Sequence, residues 1–465
     1  MKTVSPEIVQ KVLESEMVTG GQGLPSGFIG LSIDTRTILP GEIFFAIPGT
    51  THDGHDFVAA AFKRGASAAV INRSQRERFA ENPPGLLIVV DDTHKALLDM
   101  ARYLRRTSDA SFAGITGSNG KTTTKEMLYA IMSVRRRVYR SPGNLNNLFG
   151  APIALGRMPE NVQYAIFEMG ISYPGEMTRL AEIIQPGIAV MTNIGPAHLE
   201  SLGTIDNIVR AKFELIDHLP AGATVVLNND DAHIMAEARR RGLAFVGFGV
   251  DNDCPFRARD IRITLDRRIS FSISGQLIEL PVLGRANIYN ALAAVAAASV
   301  WGVSPEDWAA GLASFEAVDM RLTLEHYRGL DLLIDCYNAN PESVKEALRT
   351  LQSFTVKGRK IAVLGDMLEL GEMSDALHVE IGRVAAGSGI NYLLCLGPHS
   401  AATVDGARAA GMSADTIRHY TTHQGLLTAL VGLVRPGDMI LFKGSRSMEL
   451  ERITIGLKGT AFAGN

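Results

Sequence analysis

The feature that most constrains this chain is a glycine-rich turn at residues 114–124, which reads Gly-Ile-Thr-Gly-Ser-Asn-Gly-Lys-Thr-Thr-Thr. It follows Ser111-Phe112-Ala113, a run typical of the end of a strand. Backbone N–H groups in such a turn can point at phosphate oxygens, and a helix beginning at Thr122 would add its positive N-terminal end. Lys121 would reach the β/γ-phosphates, and the Thr122 hydroxyl would be placed for Mg²⁺. The predicted phosphate-binding residues are Gly117, Ser118, Asn119, Gly120, Lys121, Thr122 and Thr123.

The spacing of this turn differs from the strict P-loop, because Ile115 stands where the first glycine belongs. The alternative interpretation is a tight turn between a strand and a helix that carries a solvated lysine. Gly-Lys-Thr-Thr after an apolar strand is a specific signal, however. The sequence therefore predicts that the chain binds ATP or GTP.

Length and composition are typical of a large enzyme rather than a nucleic-acid binder. At 465 residues, the usual domain size gives about three domains. The formal net charge of −3 is unlike the basic footprint of nucleic-acid-binding proteins. The three cysteines (Cys254, Cys336, Cys395) have neither metal-ligand nor disulfide spacing, which favours a reducing compartment. Without a signal-like N-terminus or a long apolar run, we expect a cytoplasmic protein.

The pattern of strands and helices predicts an α/β fold with three domains. A small α/β domain is expected over residues 1–107, and the charged segment Arg102–Ser111 would link it to the next domain. Over 108–321, apolar strands alternate with helices, which predicts a parallel sheet, with hairpins near 254–283. The pattern restarts over 322–465, which predicts a Rossmann-like C-terminal domain.

Three polar side chains in the central stretch have both a functional and a structural interpretation. Glu168 ends the strand Tyr164–Glu168 and could ligate Mg²⁺ or orient water, or could serve as a helix cap or ion-pair partner. A loop histidine such as His198 is more often a surface or packing residue than a ligand. Lys212 falls on a predicted helix, where a solvated face is the simpler explanation. Only their combination beside a phosphate loop favours function.

Longer motifs show a resemblance to a known family. The longer motifs lie at 117–123, 141–147, 168–170, 193–200 and 211–214. In these segments, and over nearly its whole length, the chain resembles the Mur ligases, the ATP-dependent amide-forming enzymes of peptidoglycan precursor synthesis.

The resemblance implies how the two nucleotides are held. Ser32, Asp34, Arg36 and the turn around His55 are similar to the N-terminal domain that binds the UDP end of the substrate. Residues 284–290 resemble the helix whose asparagines, here Asn287 and Asn290, contact adenine. The family usually has histidine at the position of Ala286, so the chain departs from the pattern there.

The last third implies which amine is added. Residues 335–341 and 364–371 are similar to members that add D-alanyl-D-alanine, and Gly437–Arg446 fits the same assignment. The Asp-Asn-Pro or Asp-Asp-Pro signature of the ligase that adds diaminopimelate or lysine is absent from the sequence. The implied substrate-binding residues are Asn144, Asn147, Asn338, Asn340, Asp366 and Glu369.

The resemblance also implies the chemistry. ATP would convert the peptide carboxylate into an acyl phosphate, which the amine of D-alanyl-D-alanine then attacks. Lys121 and Arg321 would stabilise the transferring phosphoryl group, and Asp335 would lie on the ribose or metal side. One Mg²⁺ would bind Thr122 and Glu168, and a second would bind His198.

Lys212 is expected to be modified. An ammonium has donors only and cannot ligate a metal. A carbamate formed with CO₂ would turn Lys212 into an oxygen ligand suited to Mg²⁺. The alternative is an ordinary helix lysine in water or paired with Glu214.

Other functions stay open at this point. The chain could be the preceding stem-peptide ligase or a folylpolyglutamate-type ligase, although residues 364–371 argue against both. It could also be a nucleotide-binding regulator on a Mur-like scaffold, and a kinase or motor is less favoured. We expect small-molecule substrates, no nucleic acid or membrane partner, and a monomer.

Overall fold

The computed structural model describes residues 3–19, 23–263 and 268–459. Packing divides the chain into two compact units. The first comprises Met1–Thr116, Arg135–Val190 and Ala211–Val225, and the second comprises Gly117–Val134, Met191–Arg210 and Val226–Asn465. Within the described ranges, no helix combines the length and apolar character needed to cross a membrane.

The N-terminal part of the first unit forms a five-stranded sheet of order β2-β7-β6-β5-β4 and a small antiparallel pair, β1 and β3. Its elements are β1 (Thr3–Val4), α1 (Pro6–Leu13), β2 (Glu16–Val18), β3 (Phe28–Ile29), β4 (Leu31–Ser32), β5 (Ile43–Phe45), α2 (Val58–Lys63), β6 (Ala68–Asn72), β7 (Leu87–Val90) and α3 (Thr93–Arg106).

The predicted linker at 102–111 is wrong for most of its length. Helix α3 is capped by Asp92 and continues to Arg106, and the next strand begins at Ser111. The helix is amphipathic and buries Leu97 and Leu104 on one face. Arg105 is not part of a solvated linker, since it donates to the Ile184 carbonyl at 2.6 Å. A run of charged residues here belongs to a helix and does not mark a linker.

The central stretch contains a seven-stranded sheet of order β14-β13-β12-β11-β8-β10-β9 and an antiparallel sheet β15-β16-β17. Its elements are β8 (Ser111–Thr116), α4 (Lys121–Ser133), β9 (Val138–Arg140), α5 (Gly150–Gly156), β10 (Tyr164–Glu168), α6 (Glu176–Ile184), β11 (Ile188–Met191), α7 (Leu199–Leu202), α8 (Ile205–Asp217), β12 (Thr224–Asn228), α9 (Ala232–Arg241), β13 (Val246–Gly249), β14 (Phe256–Arg257), β15 (Arg259–Ile263), β16 (Ile269–Ile273), β17 (Gln276–Leu280), α10 (Arg285–Val300) and α11 (Pro305–Ala313).

Parallel pairing of β8 with β10 and of β12 with β13 confirms the predicted parallel sheet. Two local boundaries differ from the expectation. Ser111-Phe112-Ala113 begins the strand, which continues to Thr116, and the helix begins at Lys121 rather than Thr122. The strand is longer because Ile115 is fully buried and continues its apolar pattern.

The C-terminal stretch, in the second unit, is a six-stranded sheet of order β18-β19-β23-β20-β21-β22. Only β18 is antiparallel to its neighbour, so the Rossmann-like arrangement is confirmed. Its elements are β18 (Thr323–Tyr327), β19 (Leu330–Asp335), α12 (Pro341–Ser353), β20 (Lys360–Gly365), α13 (Ser374–Gly387), β21 (Tyr392–Leu396), α14 (Ser400–Ala409), β22 (Ile417–Tyr420), α15 (His423–Leu433), β23 (Met439–Lys443) and α16 (Glu451–Gly459).

Helices α13 and α14 approach so closely that glycine is required on both. A Cβ on Gly382 would lie 2.0 Å from the Thr403 carbonyl oxygen, and a Cβ on Gly406 would lie 2.1 Å from that of Val379. Because backbone cannot give way as a flexible side chain can, the two helices would have to separate.

We expect Gly382→Ala to lower the free energy of unfolding by about 1–3 kcal/mol, as overpacking does in other cores. Urea denaturation followed by circular dichroism measures this. The matched control is Gly387→Ala at the end of the same helix, where a new Cβ meets nothing within 4 Å. The control should be as stable as the natural chain or slightly more stable, because alanine has the higher helix propensity. Equal losses in both variants would contradict the close packing.

Candidate active site

The phosphate loop of the second unit connects to helix α4 through a turn that only glycine fits. Gly117 has φ +144°, and a Cβ there would lie 1.9 Å from Oγ1 of Thr192. Gly120 has φ +83°, and a Cβ there would lie 2.2 Å from Oδ1 of Asn290. Both glycines are therefore required by backbone conformation and by close neighbours.

The loop is clamped by the segment that follows strand β11. The Asn193 carbonyl accepts from Ser118 N at 2.9 Å, and its Oδ1 accepts from Asn119 N at 2.8 Å. Thr192 Oγ1 donates to the Asn119 carbonyl at 2.5 Å. Ser118 Oγ both donates to the Gly195 carbonyl and accepts from its N–H, each at 2.9 Å. The role of Asn193 as a clamp was not predicted, because nothing local links it to the loop.

Three residues predicted to act on the phosphates belong to this region of the second unit. Lys121 Nζ donates to the carbonyls of Gly117 at 2.6 Å and Ser118 at 3.2 Å, so the side chain curls over the loop. Arg321 donates to the Thr122 hydroxyl at 3.0 Å, and its guanidinium lies 4.1 Å from the ring centre of Tyr337. The structure thus brings Lys121, Thr122 and Arg321 to one loop.

The phosphate loop is also bonded to the start of helix α12. The side-chain amides of Asn119 and Asn340 exchange two hydrogen bonds, at 3.2 and 2.8 Å. Asn340 is the N-cap of α12, where its Oδ1 accepts from Ser343 N at 3.0 Å and Ser343 Oγ accepts from Asn340 N. A single asparagine therefore both caps a helix and holds the loop.

His198 is paired with Glu369, which sequence reasoning assigned to substrate binding. Nδ1 of His198 lies 2.6 Å from the Glu369 carboxylate, and Glu200 N donates to the Glu369 carbonyl at 3.0 Å. The hydrogen bond from His198 holds the pKa of Glu369 below its usual value. This pairing fixes the ring and leaves Nε2 as the nitrogen available for a cation.

Asp335 is paired with a lysine that sequence reasoning missed. Lys443 Nζ lies 2.9 Å from the Asp335 carboxylate and donates to the Asn338 carbonyl at 2.6 Å. Burial raises the pKa of Asp335, and the Lys443 ammonium partly offsets that rise. The segment 437–446 was recognised only as a family motif, so its lysine had no assigned partner.

The structure gives Asp366 a structural role. Its fully buried carboxylate accepts from Ser400 Oγ at 2.6 Å and from His399 N at 3.1 Å. A Cβ on Gly397 would lie 2.5 Å from the same carboxylate. The predicted contact of Asp366 with substrate is untested and would require these partners to give way.

In the first unit, Glu168 lies at the end of β10 and is 3 % exposed. It accepts from Asn146 Nδ2 at 2.8 Å, and its own N–H donates to Ser141 Oγ at 3.2 Å. Asn147 Oδ1 accepts from Gly150 N at 2.9 Å in the turn that leads into α5, and Asn144 is exposed. The 141–147 motif therefore orients Glu168 and starts a helix, and its predicted contact with substrate stays a prediction.

Lys212 lies on helix α8 and is 3 % exposed, so the interpretation as a solvated surface lysine is wrong. Glu214, its proposed alternative partner, accepts from the N–H groups of Gly175 and Thr178 at the start of α6, each at 3.1 Å.

The residues predicted to hold the UDP end also lie in the first unit. Arg36 makes a two-pronged bond to Asp34, with its Nη2 at 2.7 Å from the carboxylate, and Ser32 ends strand β4. His55 is buried, with Nδ1 at 2.6 Å from Asp53 and Nε2 accepting from Asn72 N at 3.0 Å. His55 thus shapes the turn, and its direct contact with a ligand is an untested prediction.

The side chains of Thr122 and Glu168 end in oxygen atoms, which suit Mg²⁺ better than a softer metal. A threonine hydroxyl and a glutamate carboxylate are ligands of the kind that Mg²⁺ prefers. Across residues 3–19, 23–263 and 268–459, no cluster of three or more His, Cys, Asp or Glu side chains is arranged to hold a metal.

The phosphate loop connects a strand of the parallel sheet to the N-terminus of helix α4, and its backbone is held by hydrogen bonds from other segments. This arrangement is typical of α/β proteins that bind nucleotide phosphates. Three family models match the chain: the Mur ligase family catalytic domain at residues 28–105, the Mur ligase middle domain at 115–298, and the Mur ligase glutamate ligase domain at 320–446. The chain belongs to the Mur ligase family.

Relatives and solved structures are similar over nearly the full length. The UDP-N-acetylmuramoyl-tripeptide–D-alanyl-D-alanine ligase of Bacillus subtilis is 37 % identical, covering 91 % of this chain and 92 % of that protein. The Escherichia coli enzyme of the same name is 32 % identical over 94 % and 95 %. A MurF structure from Acinetobacter baumannii has a TM-score of 0.88 at 30 % identity over 99 % and 100 %. A MurF ligase from Thermotoga maritima, solved with ADP, has a TM-score of 0.80 at 27 % identity over 93 % and 97 %.

The double role of Asn340 can be separated by two substitutions. We expect Asn340→Ala to lower the free energy of unfolding by about 0.5–2 kcal/mol, the usual cost of losing an N-cap. Asn340→Asp keeps a good capping oxygen but loses the amide that donates to Asn119. In urea denaturation the aspartate variant should match the natural chain, while the KM for ATP rises in both variants. An unchanged KM in both would show that the Asn119 pair does not hold the loop for nucleotide binding.

Proposed function

We propose that this protein uses ATP to join D-alanyl-D-alanine to UDP-N-acetylmuramoyl-tripeptide in the cytoplasmic synthesis of peptidoglycan precursors, acting as a monomer. The observation that carries the proposal is the pair of hydrogen bonds between Asn119 and Asn340. These bonds put the phosphate loop next to the 335–341 motif. The Bacillus subtilis and Escherichia coli relatives, named as this ligase, support the choice of amine.

The reaction explains why cations converge on the loop. A carboxylate does not acylate an amine at neutral pH, because its leaving group would be hydroxide. The tripeptide carboxylate oxygen attacks the γ-phosphorus, ADP leaves, and an acyl phosphate forms. The dipeptide amine then attacks the acyl carbon, loses a proton, and the tetrahedral intermediate expels inorganic phosphate. Both carboxylate and γ-phosphate are anions, so the first step needs positive charge around them.

Lys121 and Arg321 supply that charge in the second unit. Lys121 is already bent over the loop by its bonds to two loop carbonyls. Arg321 is held by the ring of Tyr337 and the hydroxyl of Thr122, and its buried Nε makes no hydrogen bond within the described residues. That Nε is a donor available for an anionic oxygen. Asp335, paired with Lys443 where β19 and β23 run side by side, would lie on the ribose or metal side of the nucleotide.

Mg²⁺ would supply further charge neutralisation at the phosphates when bound. Thr122 and Glu168 offer oxygen ligands for one ion. His198, oriented by Glu369, and Lys212, as a carbamate, would hold a second.

The two ends of the substrate are assigned to different parts of the chain. Ser32, Asp34, Arg36 and the turn shaped by His55 would take the uridine diphosphate end, and Asn144 and Asn147 would contact the peptide. Asn338, Asn340 and Glu369 would line the D-alanyl-D-alanine pocket. The proposal includes three domains. Residues 1–107 would bind the UDP end of the substrate, residues 108–321 would bind ATP, and residues 322–465 would bind the dipeptide.

The choice of amine is tested by phosphate release from ATP in the presence of UDP-N-acetylmuramoyl-tripeptide. We expect release with D-alanyl-D-alanine and none above background with lysine, diaminopimelate or glutamate. Lys121→Met should reduce release by at least ~10²-fold, comparable to losing one preorganised charge-stabilising donor. Equal turnover with a single amino acid would contradict the proposed amine. Full activity of the Lys121 variant would contradict the role of the phosphate loop.

The modification of Lys212 is tested by ¹³C NMR after equilibration with ¹³C-bicarbonate. We expect a carbamate signal from the natural chain that is absent from Lys212→Ala. The variant should be nearly inactive and partly rescued by short carboxylic acids, which can fill the vacated place. A natural chain that is active but gives no such signal, or a crystal structure with ATP and metals around a bare ammonium, would overturn the modification.

A further inference from the structure

A buried ion pair in the first unit joins the end of helix α5 to the N-terminal sheet. Glu42 is fully buried, one residue before strand β5. Arg157, the C-cap of α5, donates to its carboxylate from Nε at 2.8 Å and from Nη2 at 3.2 Å. The same carboxylate accepts from Leu39 N at 2.9 Å. Because a buried carboxylate is costly unless it is paired and hydrogen-bonded, these contacts fix Arg157 against the segment that precedes β5.

The guanidinium of Arg157 also holds the turn that carries the predicted UDP-binding residues. Its Nη2 donates to the Thr37 carbonyl at 3.0 Å. Thr37 N in turn donates to the Asp34 carbonyl at 3.2 Å, and the Asp34 carboxylate is bonded by Arg36. Arg36 and Thr37 are both exposed, so burial of these two side chains contributes little to holding the turn. The conformation of the turn therefore depends on hydrogen bonds of this kind.

Helix α5 gives this contact a fixed support, because both of its ends are attached to the N-terminal part of the unit. A Cβ on Gly156 would lie 2.8 Å from Leu31 N in β4, so the end of the helix meets the sheet directly. At the start of the helix, the ring of Phe149 stacks on His94 of α3, with ring centres 4.5 Å apart. In such close packing, Arg157 approaches the turn from one direction only.

We propose that Arg157 is a positioning residue for the uridine diphosphate end of the substrate. It acts through the Thr37 carbonyl and the Glu42 carboxylate, and it does not itself contact the ligand. Arginine suits this place because its planar fork reaches two carboxylate oxygens and a carbonyl at once. The single ammonium of a lysine cannot reproduce that geometry. The inference rests on the binding of UDP proposed above.

Two variants of the full chain separate the hydrogen-bond geometry from the charge. The double variant Glu42→Gln/Arg157→Met removes both charges together, which avoids leaving a buried carboxylate unpaired, and the glutamine oxygen can still accept from Leu39 N. Arg157→Lys keeps a positive charge but loses the fork.

The measurement is the dissociation constant of radiolabelled UDP-N-acetylmuramoyl-tripeptide, by equilibrium dialysis with a non-hydrolysable ATP analogue present. The dissociation constant of the ATP analogue is measured separately. In both variants we expect the UDP-linked substrate to bind about tenfold more weakly, the fold-change for losing one hydrogen bond to a charged group. Binding of the ATP analogue should be unchanged.

The matched control is Arg102→Met, which breaks a different connection in the same unit. Arg102 of α3 donates to Glu182 of α6 at 3.2 Å, so it too joins the N-terminal part to the rest of the unit. It makes no hydrogen bond to residues 32–37. Both dissociation constants should therefore stay as in the natural chain.

Three results would overturn the proposal. Unchanged substrate binding in both variants would show that the turn keeps its shape without Arg157. An equal loss in Arg102→Met would mean that joining the two parts matters and the turn does not. An equal loss of ATP-analogue binding would indicate a general disturbance of the fold. Failure of the natural chain itself to bind the UDP-linked substrate would instead overturn the proposed function, and with it the basis of this inference.

Discussion

The phosphate loop keeps its shape because side chains from distant parts of the chain hold its backbone. Asn193 Oδ1 accepts from the N–H of Asn119, and Thr192 Oγ1 donates to its carbonyl. The Ser118 hydroxyl exchanges two hydrogen bonds with the backbone of Gly195. A loop of this kind has no ladder of its own, so its backbone groups must be satisfied from outside. The positive end of α4 is then presented in one fixed direction.

From this loop, contacts within the second unit extend to three parts of the sequence. Asn340 begins α12, Arg321 lies before β18, and Asn290 lies on α10. Each contact joins a neutral polar or cationic group to the loop, which is the pattern expected around a site for an anion. His198 and Glu369 make a comparable pair close to α7. The polar groups of the site therefore support one another.

Local features of the chain were predictable, and long-range ones were not. The phosphate loop and strands such as Tyr164–Glu168 follow from short patterns in which neighbouring residues determine the conformation. The clamp by Asn193 and the pairing of Lys443 with Asp335 join residues over 70 positions apart, which no short motif reveals. His55 and Asp366 are predicted to contact ligands, and both are buried with partners inside the protein. Polar residues in a motif look the same in sequence whether they face a ligand or complete their own turn.

The capping residue of α12 has a consequence for how this position can change over evolutionary time. The N-cap of α12 requires only a short side chain with a hydrogen-bond acceptor, which serine, threonine, aspartate and asparagine all provide. The hydrogen bond to Asn119 Oδ1 requires in addition that the side chain at position 340 carry a donor. Serine is too short to reach both, and aspartate lacks the donor. Each requirement alone, the capping acceptor or the donor to Asn119, can be met by several residue types. Only asparagine meets both at position 340, so the two requirements together constrain this position.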